Sequence, residues 1–113
     1  MQGNARLVVI GAGIVGCSAA YHLTRLGWSD IAVLEQGSLF ETGGSTSHAP
    51  GLVFQTNFSQ MMTGLARYTV ELYSALELEE QPCFHPVGSM EIACTRERWE
   101  DLKRKRGAAH SWG

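Results

Sequence analysis

From Arg6 to Ile10 the chain reads RLVVI, an apolar, largely β-branched run without alternation. Such a run predicts a short parallel strand covered on both faces. The polar stretch Met1 to Asn4 before it predicts a frayed start. CSAAYHLTRLG, from Cys17, places Ala19, Ala20, Leu23 and Leu26 at helical spacing, and Gly27 supplies the stop. DIAVLEQG, Asp30 to Gly37, is a second buried-strand run that ends at Glu35. A helix between two such runs has the length of a parallel crossover, so the order is strand, helix, strand.

SLFETGGSTSHAPGLVFQTN comes next as a long loop, with one short strand expected at Leu52 to Gln55. The period then changes. In SQMMTGLARYTVELYSALELEEQ, Met62, Leu65, Thr69, Leu72, Tyr73 and Leu76 share one helical stripe, while Arg67, Glu71 and Glu79 lie away from it. Ser59 stands at the N-cap position. CFHPVGSMEIACT has β character: Met90, Ile92 and Cys94 alternate with Glu91 and Ala93, and Gly88-Ser89 reads as a turn or bulge. Thr95 opens a last helix, RERWEDLKRKRGAAHSWG. Its KRKR, Lys103 to Arg106, reads as a solvated helix face with Glu97, Glu100 and Asp101 as i to i+4 partners, rather than a nuclear signal or a nucleic-acid patch. The fold class is α/β: a Rossmann-like βαβ unit with a parallel sheet, incomplete, followed by a helix, a β segment and a C-terminal helix.

Composition narrows the class without naming a function. At 113 residues, with 44% hydrophobic and 18% charged side chains, the chain is expected to form part of one globular domain, residues 1–113. A formal charge of −2 provides no global field for nucleic acid or an anionic membrane, so neither is expected as a partner. Cys17, Cys83 and Cys94 are an odd number without CxxC spacing, and His22, His48, His85 and His110 are scattered singly. That argues against a disulfide framework and a metal site, and fits reduced thiols in the cytoplasm. Cys17 reads as a small packed hydrophobe, and His85 as structural or surface. ARLVVIGAGIVGCSAA has the outline of a lipoprotein signal, but its continuation is helical rather than a polar mature start. No other segment approaches the roughly 18 apolar residues of a membrane span.

The chemistry sits between the first strand and the first helix. Gly11, Gly13 and Gly16 form GxGxxG directly after a strand and at the opening of a helix, the context the motif requires. Gly11 permits the tight turn, Gly13 lets a pyrophosphate approach the backbone, and Gly16 lets the helix sit close on the strand. The amides of the first helical turn then face the phosphates. Glu35, roughly two dozen residues after Gly11, stands where a carboxylate accepts hydrogen bonds from the adenosine ribose, which disfavours a 2′-phosphate and hence NADP. These features leave FAD and NAD open, since both present ADP to the same groups. The alternatives to a flavin enzyme are an NAD-binding Rossmann module and a small non-catalytic binding protein.

With VVIGAGIVG, VLEQG and above all GGSTSHAPGLVFQTN in hand, the chain resembles the flavin-dependent amine oxidoreductases of the D-amino-acid oxidase superfamily. Within them it is most similar to the dimethylglycine and sarcosine dehydrogenases and oxidases. FHPVGSMEIACT and LKRKRGAAHSWG are similar to the segments that succeed that loop in members of the family. The resemblance implies FAD held by Gly11, Gly13, Ile14, Val15, Gly16, Glu35 and Gln36, with Gly43, Gly44, Ser45, Thr46, Gly51 and Leu52 toward the flavin. It also implies a covalent link from His48 to the flavin, as the matching histidine makes in relatives. The implied reaction oxidises an N-methyl group of dimethylglycine or sarcosine, with hydride passing to flavin N5. The one-carbon unit then goes to tetrahydrofolate or leaves as formaldehyde. Family members are much longer, so the resemblance implies an N-terminal part of the oxidoreductase, inactive by itself, with the catalytic side chains beyond Gly113.

Overall fold

The computed structural model describes residues 4–38 and 43–112. Most of the frayed start, and the middle of the long loop at 39–42, lie outside the described residues. The chain divides into two compact units, Met1–Gly51 and Leu52–Gly113. No helix among the described residues is long and apolar enough to cross a membrane.

In the first unit, β1 (Leu7–Ile10), α1 (Ile14–Arg25) and β2 (Ile31–Leu34) form the expected parallel βαβ unit, with Leu7 beside Ile31 and Ile10 beside Leu34, and a single helical turn, α2 (Ser45–His48), comes after it. Both ends of the ladder are pinned: Arg6 N–H donates to Asp30 C=O at 3.0 Å, and Gly11 N–H donates to Leu34 C=O at 2.7 Å. Gly27 ends α1 at φ +86°, with Trp28 N–H on Leu23 C=O and Gly27 N–H on Thr24 C=O, both at 3.0 Å. That pairing is a Schellman stop, which a side chain at Gly27 would strain.

The expected two-faced burial of the strands is not found. Ile10 is 88% exposed and Val8 49%, and no described residue of the chain is buried. Two strands and one crossing helix cover only part of the sheet, so the apolar composition of a doubly covered strand is present without its cover. Cys17 is likewise exposed rather than packed, its thiol donating to Ala12 C=O at 3.2 Å.

In the second unit, α3 (Gln60–Ser74) starts where expected, with the Ser59 hydroxyl accepting from Met62 N–H at 3.4 Å. It stops earlier than its stripe predicts. Glu77, Glu79 and Glu80 would place like charge at the negative end of the helix dipole. Instead β3 (Glu77–Leu78) and β4 (Gln81–Pro82) make a small antiparallel hairpin, turning through Glu79 and Glu80 at φ +51° and +64°. The strand expected at Leu52 to Gln55 is absent, and so is the one expected within 83–95. Met90 and Ile92 are 87% and 72% exposed, and alternation without a partner strand makes no ladder.

The segment at 83–95 is tied instead to α4 (Arg96–Ser111) through Glu91, which pairs with Arg98 at 3.2 Å and with Lys105 at 2.6 Å. The Lys105 hydrogen bond is the main reason that the Glu91 carboxyl is held below its ordinary pKa. Thr95 caps α4 as expected, accepting from Arg98 N–H at 3.2 Å. The KRKR run is an ion-paired face, but its pairs within the helix are i to i+3, Lys103 with Glu100 and Arg104 with Asp101, rather than i to i+4.

Candidate functional site

Gly11, at φ +99°, turns the chain out of β1 in a conformation that L side chains rarely adopt. Gly13 precedes α1 in extended conformation and supplies no side-chain cap. The first backbone bond of the helix runs from Cys17 N–H to Gly13 C=O at 2.9 Å, which leaves the earlier amides of the turn available to other acceptors. A Cβ on Gly16 would lie 1.9 Å from the carbonyl oxygen of Gly11, so only glycine lets α1 rest this close to the turn. Gly11 thus makes the tight turn and Gly16 the close approach that the sequence predicts, while the approach at Gly13 is met by the side chain of Thr46.

Glu35 follows β2 directly and reaches back across the turn. Its Oε2 accepts from Ala12 N–H at 2.7 Å, and its Oε1 accepts from Gln36 N–H at 2.9 Å and Gly37 N–H at 3.0 Å. These bonds favour the ionised form and hold the carboxyl below its ordinary pKa, the Ala12 amide contributing most, then Gly37 and, beyond a smaller opposing effect of desolvation, Gln36. A carboxylate with two oxygens still has acceptor capacity for a ribose hydroxyl.

The third wall is the loop at 43–51. It has one helical turn, α2 (Ser45–His48), entered from Gly44. The Ser47 hydroxyl donates to Gly44 C=O at 2.7 Å, and the Nδ1 of His48 lies 3.0 Å from the same oxygen. A carbonyl only accepts, so the proton of a neutral His48 sits on Nδ1 and the lone pair is on Nε2. Thr46 reaches furthest, its Oγ1 accepting from Ile14 N–H at 2.9 Å.

Turn, strand end and loop enclose an open cleft of about 760 Å³, lined from β1 and its turn by Ile10, Gly11 and Gly13, from β2 by Leu34 to Gly37, and from the loop by Gly43 to Thr46. That size suits a cofactor or a drug-sized ligand. The structure thus brings Gly11, Gly13, Glu35, Gln36, Gly43, Gly44, Ser45 and Thr46 to one cleft. Ile14, Val15, Gly16, His48 and Gly51 belong to the same unit but do not line it, and Leu52 falls in the other unit. Ile10, Leu34 and Gly37 line the cleft without having been singled out from the sequence. The signal that marks them is positional: ligands of open α/β sheets bind beyond the carboxyl ends of the strands.

A glycine turn between parallel strand and helix, with an acidic residue closing the next strand, is the arrangement of a dinucleotide-binding βαβ unit. The chain belongs to the FAD dependent oxidoreductase family, whose model matches residues 6–113. It is 39% identical over 92% of its length to the mitochondrial pyruvate dehydrogenase phosphatase regulatory subunit of Mus musculus. It is 37% identical over 97% to the formaldehyde-forming 4-methylaminobutanoate oxidase of Paenarthrobacter nicotinovorans, and 39% identical over 88% to the mitochondrial dimethylglycine dehydrogenase of Rattus norvegicus. The chain spans 12%, 13% and 12% of those three proteins respectively.

The carboxylate bridge leads to a prediction with a defined sign. Because the folded pKa of Glu35 is lowered, its stabilising contribution is present above the unfolded value of about 4.3 and is lost as pH falls through the folded value. Melting temperature in the intact protein is therefore expected to drop less steeply on acidification below about pH 4 for Glu35→Gln than for wild type. The same variant is expected to bind ADP roughly ten- to a hundredfold more weakly in calorimetry, as one charged acceptor is lost. Equal acid slopes together with equal ADP affinities would dismiss the bridge.

Proposed function

We propose that this chain is the FAD-binding part of an oxidoreductase that oxidises the N-methyl group of a small amine such as dimethylglycine or sarcosine. The observation that carries the reading is the cleft itself, where the Gly11 to Gly13 turn, the first amides of α1 and the Glu35 carboxylate converge. The fit to an ADP-containing cofactor is chemical: amides for a pyrophosphate, a carboxylate for ribose hydroxyls, and the apolar ends of both strands, Ile10 and Leu34, for a ring. Gly11, Gly13, Ile14, Val15 and Gly16 hold the pyrophosphate, and Glu35 with Gln36 holds the ribose. Gly43, Gly44, Ser45, Thr46 and Gly51 serve the flavin end. His48 provides a covalent tether through Nε2, the nitrogen that its Nδ1 contact leaves with the lone pair.

A flavin held by these residues would supply a hydride acceptor, at N5, for the N-methyl group, and the one-carbon unit of the oxidised amine would pass to tetrahydrofolate or leave as formaldehyde. The chain's own part is binding and orientation, and no catalytic acid or base is assigned to it. The 4-methylaminobutanoate oxidase and dimethylglycine dehydrogenase relatives support the N-methyl class. Cytoplasmic location is part of the proposal and rests on three unbridged thiols. A second reading, binding without catalysis, is favoured by the regulatory subunit from mouse at 39% identity.

One experiment separates the readings. The intact protein is purified, its visible spectrum recorded, and dimethylglycine or sarcosine added without oxygen. The oxidoreductase reading expects a flavin spectrum that bleaches on addition. A flavin that neither substrate reduces favours the regulatory reading, and a colourless protein that takes up no FAD overturns both cofactor assignments.

A further inference from the structure

The glycine turn offers a phosphate two things, a bare backbone face at Gly13 and the unpaired amides that begin α1. In this structure one side chain takes both. Thr46 Oγ1 accepts from Ile14 N–H at 2.9 Å, and the same oxygen lies 2.9 Å from the place where a Cβ on Gly13 would stand. Gly13 has no capping side chain of its own, so the cap on Ile14 comes from a residue 32 positions downstream. Such a long-range bond has no role in forming the helix locally, and it fills the approach that the glycine leaves open.

We propose that Thr46 is a placeholder at the pyrophosphate position. Its hydroxyl satisfies the Ile14 amide and stands over Gly13, so a phosphate bound at that amide requires the hydroxyl to leave. This rests on the cofactor reading above and adds a conformational step to it. The step reaches beyond one side chain, because Thr46 sits in a turn closed on itself: Ser47 N–H and its hydroxyl both donate to Gly44 C=O, and Ala49 N–H donates to Thr46 C=O at 3.3 Å. His48 is fastened to that same Gly44 oxygen. Thr46 and His48 thus share one closed turn, so any backbone shift that accompanies departure of the hydroxyl would carry the imidazole with it. Capped and uncapped forms are two states of the loop, and a ligand that binds only the uncapped one has its affinity reduced by the uncapped fraction.

The test uses apoprotein from riboflavin-starved cells, with ADP as the probe in calorimetry. Thr46→Ala removes both the hydroxyl and the volume over Gly13 and is expected to bind ADP about three- to tenfold more tightly than wild type, while the protein without nucleotide melts at a lower temperature. Thr46→Ser keeps the hydroxyl and is expected to match wild type in both. Thr46→Gly repeats the affinity measurement should the alanine variant fold poorly. In wild type, hydrogen exchange at the Ile14 amide is expected to be slower than at Val15. Weaker or unchanged ADP binding by both hydroxyl-free variants would overturn the placeholder, as would an Ile14 amide no better protected than its neighbour. Wild type that binds neither ADP nor FAD would instead sink the cofactor reading, which keeps the two failures apart.

Discussion

Replacing Gly16 by alanine is expected to abolish flavin retention and to cost the intact protein at least about 3 kcal/mol of stability, the upper range for overpacking at a rigid contact. The added Cβ would stand 1.9 Å from Gly11 O, 3.1 Å from Gly11 C and 3.3 Å from Val9 Cγ1. The first two are backbone atoms of a turn that the Gly11 N–H to Leu34 C=O bond fixes to β2, so neither can step aside without breaking the ladder. The helix must retreat instead, and its amides retreat with it from the place where a phosphate is held. Gly64→Ala in α3 is the contrasting control, since nothing lies within 4 Å of its Cβ position. An open glycine inside a helix is expected to gain about 0.5–1 kcal/mol on becoming alanine. Thermal unfolding and flavin content per chain read both. Gly16→Ala with wild-type melting and full flavin would refute the close-approach argument, whatever the control does.

Removal of the His48 imidazole is expected to have an all-or-none chemical effect. In wild-type intact protein, acid precipitation should leave the yellow colour in the pellet, and in His48→Ala the same treatment should release it to the supernatant. The reason lies in the ring's partners. Nδ1 is committed to Gly44 C=O at 3.0 Å and also lies 3.3 Å from the Ser47 hydroxyl, so Nε2 is the nitrogen left with a lone pair for bond formation. His48→Ala should still take up FAD, because Gly11, Gly13, Gly16 and Glu35 are untouched. A white wild-type pellet with all flavin soluble would end the tether and leave non-covalent binding standing.

Both expectations trace to residues that the sequence marked, and they show how far it reached. The first strand, helix and second strand were legible because each obeys a local rule: an apolar β-branched run, helical spacing, a glycine stop. Ser59 and Thr95 were legible as caps because a cap is decided within three residues, as the Met62 and Arg98 amides confirm. The three glycines and Glu35 were legible because their spacing along the chain encodes a known turn geometry.

What only the tertiary structure decided was everything that depends on a partner distant in sequence. Alternation at Met90, Ile92 and Cys94 reads as a strand, yet a strand exists only where another supplies its hydrogen bonds, and none does so among the described residues. Charge spacing suggests that Lys105 pairs within its helix, but the structure gives it Glu91, 14 residues away. Thr46 reads as one hydroxyl among several in a glycine-rich loop. That it caps Ile14 across 32 residues results from where the turn of the loop comes to rest against the glycine turn, a matter of three-dimensional approach that periodicity does not carry. Local rules fix which backbone groups need partners, and the tertiary fold decides which side chains arrive to meet them.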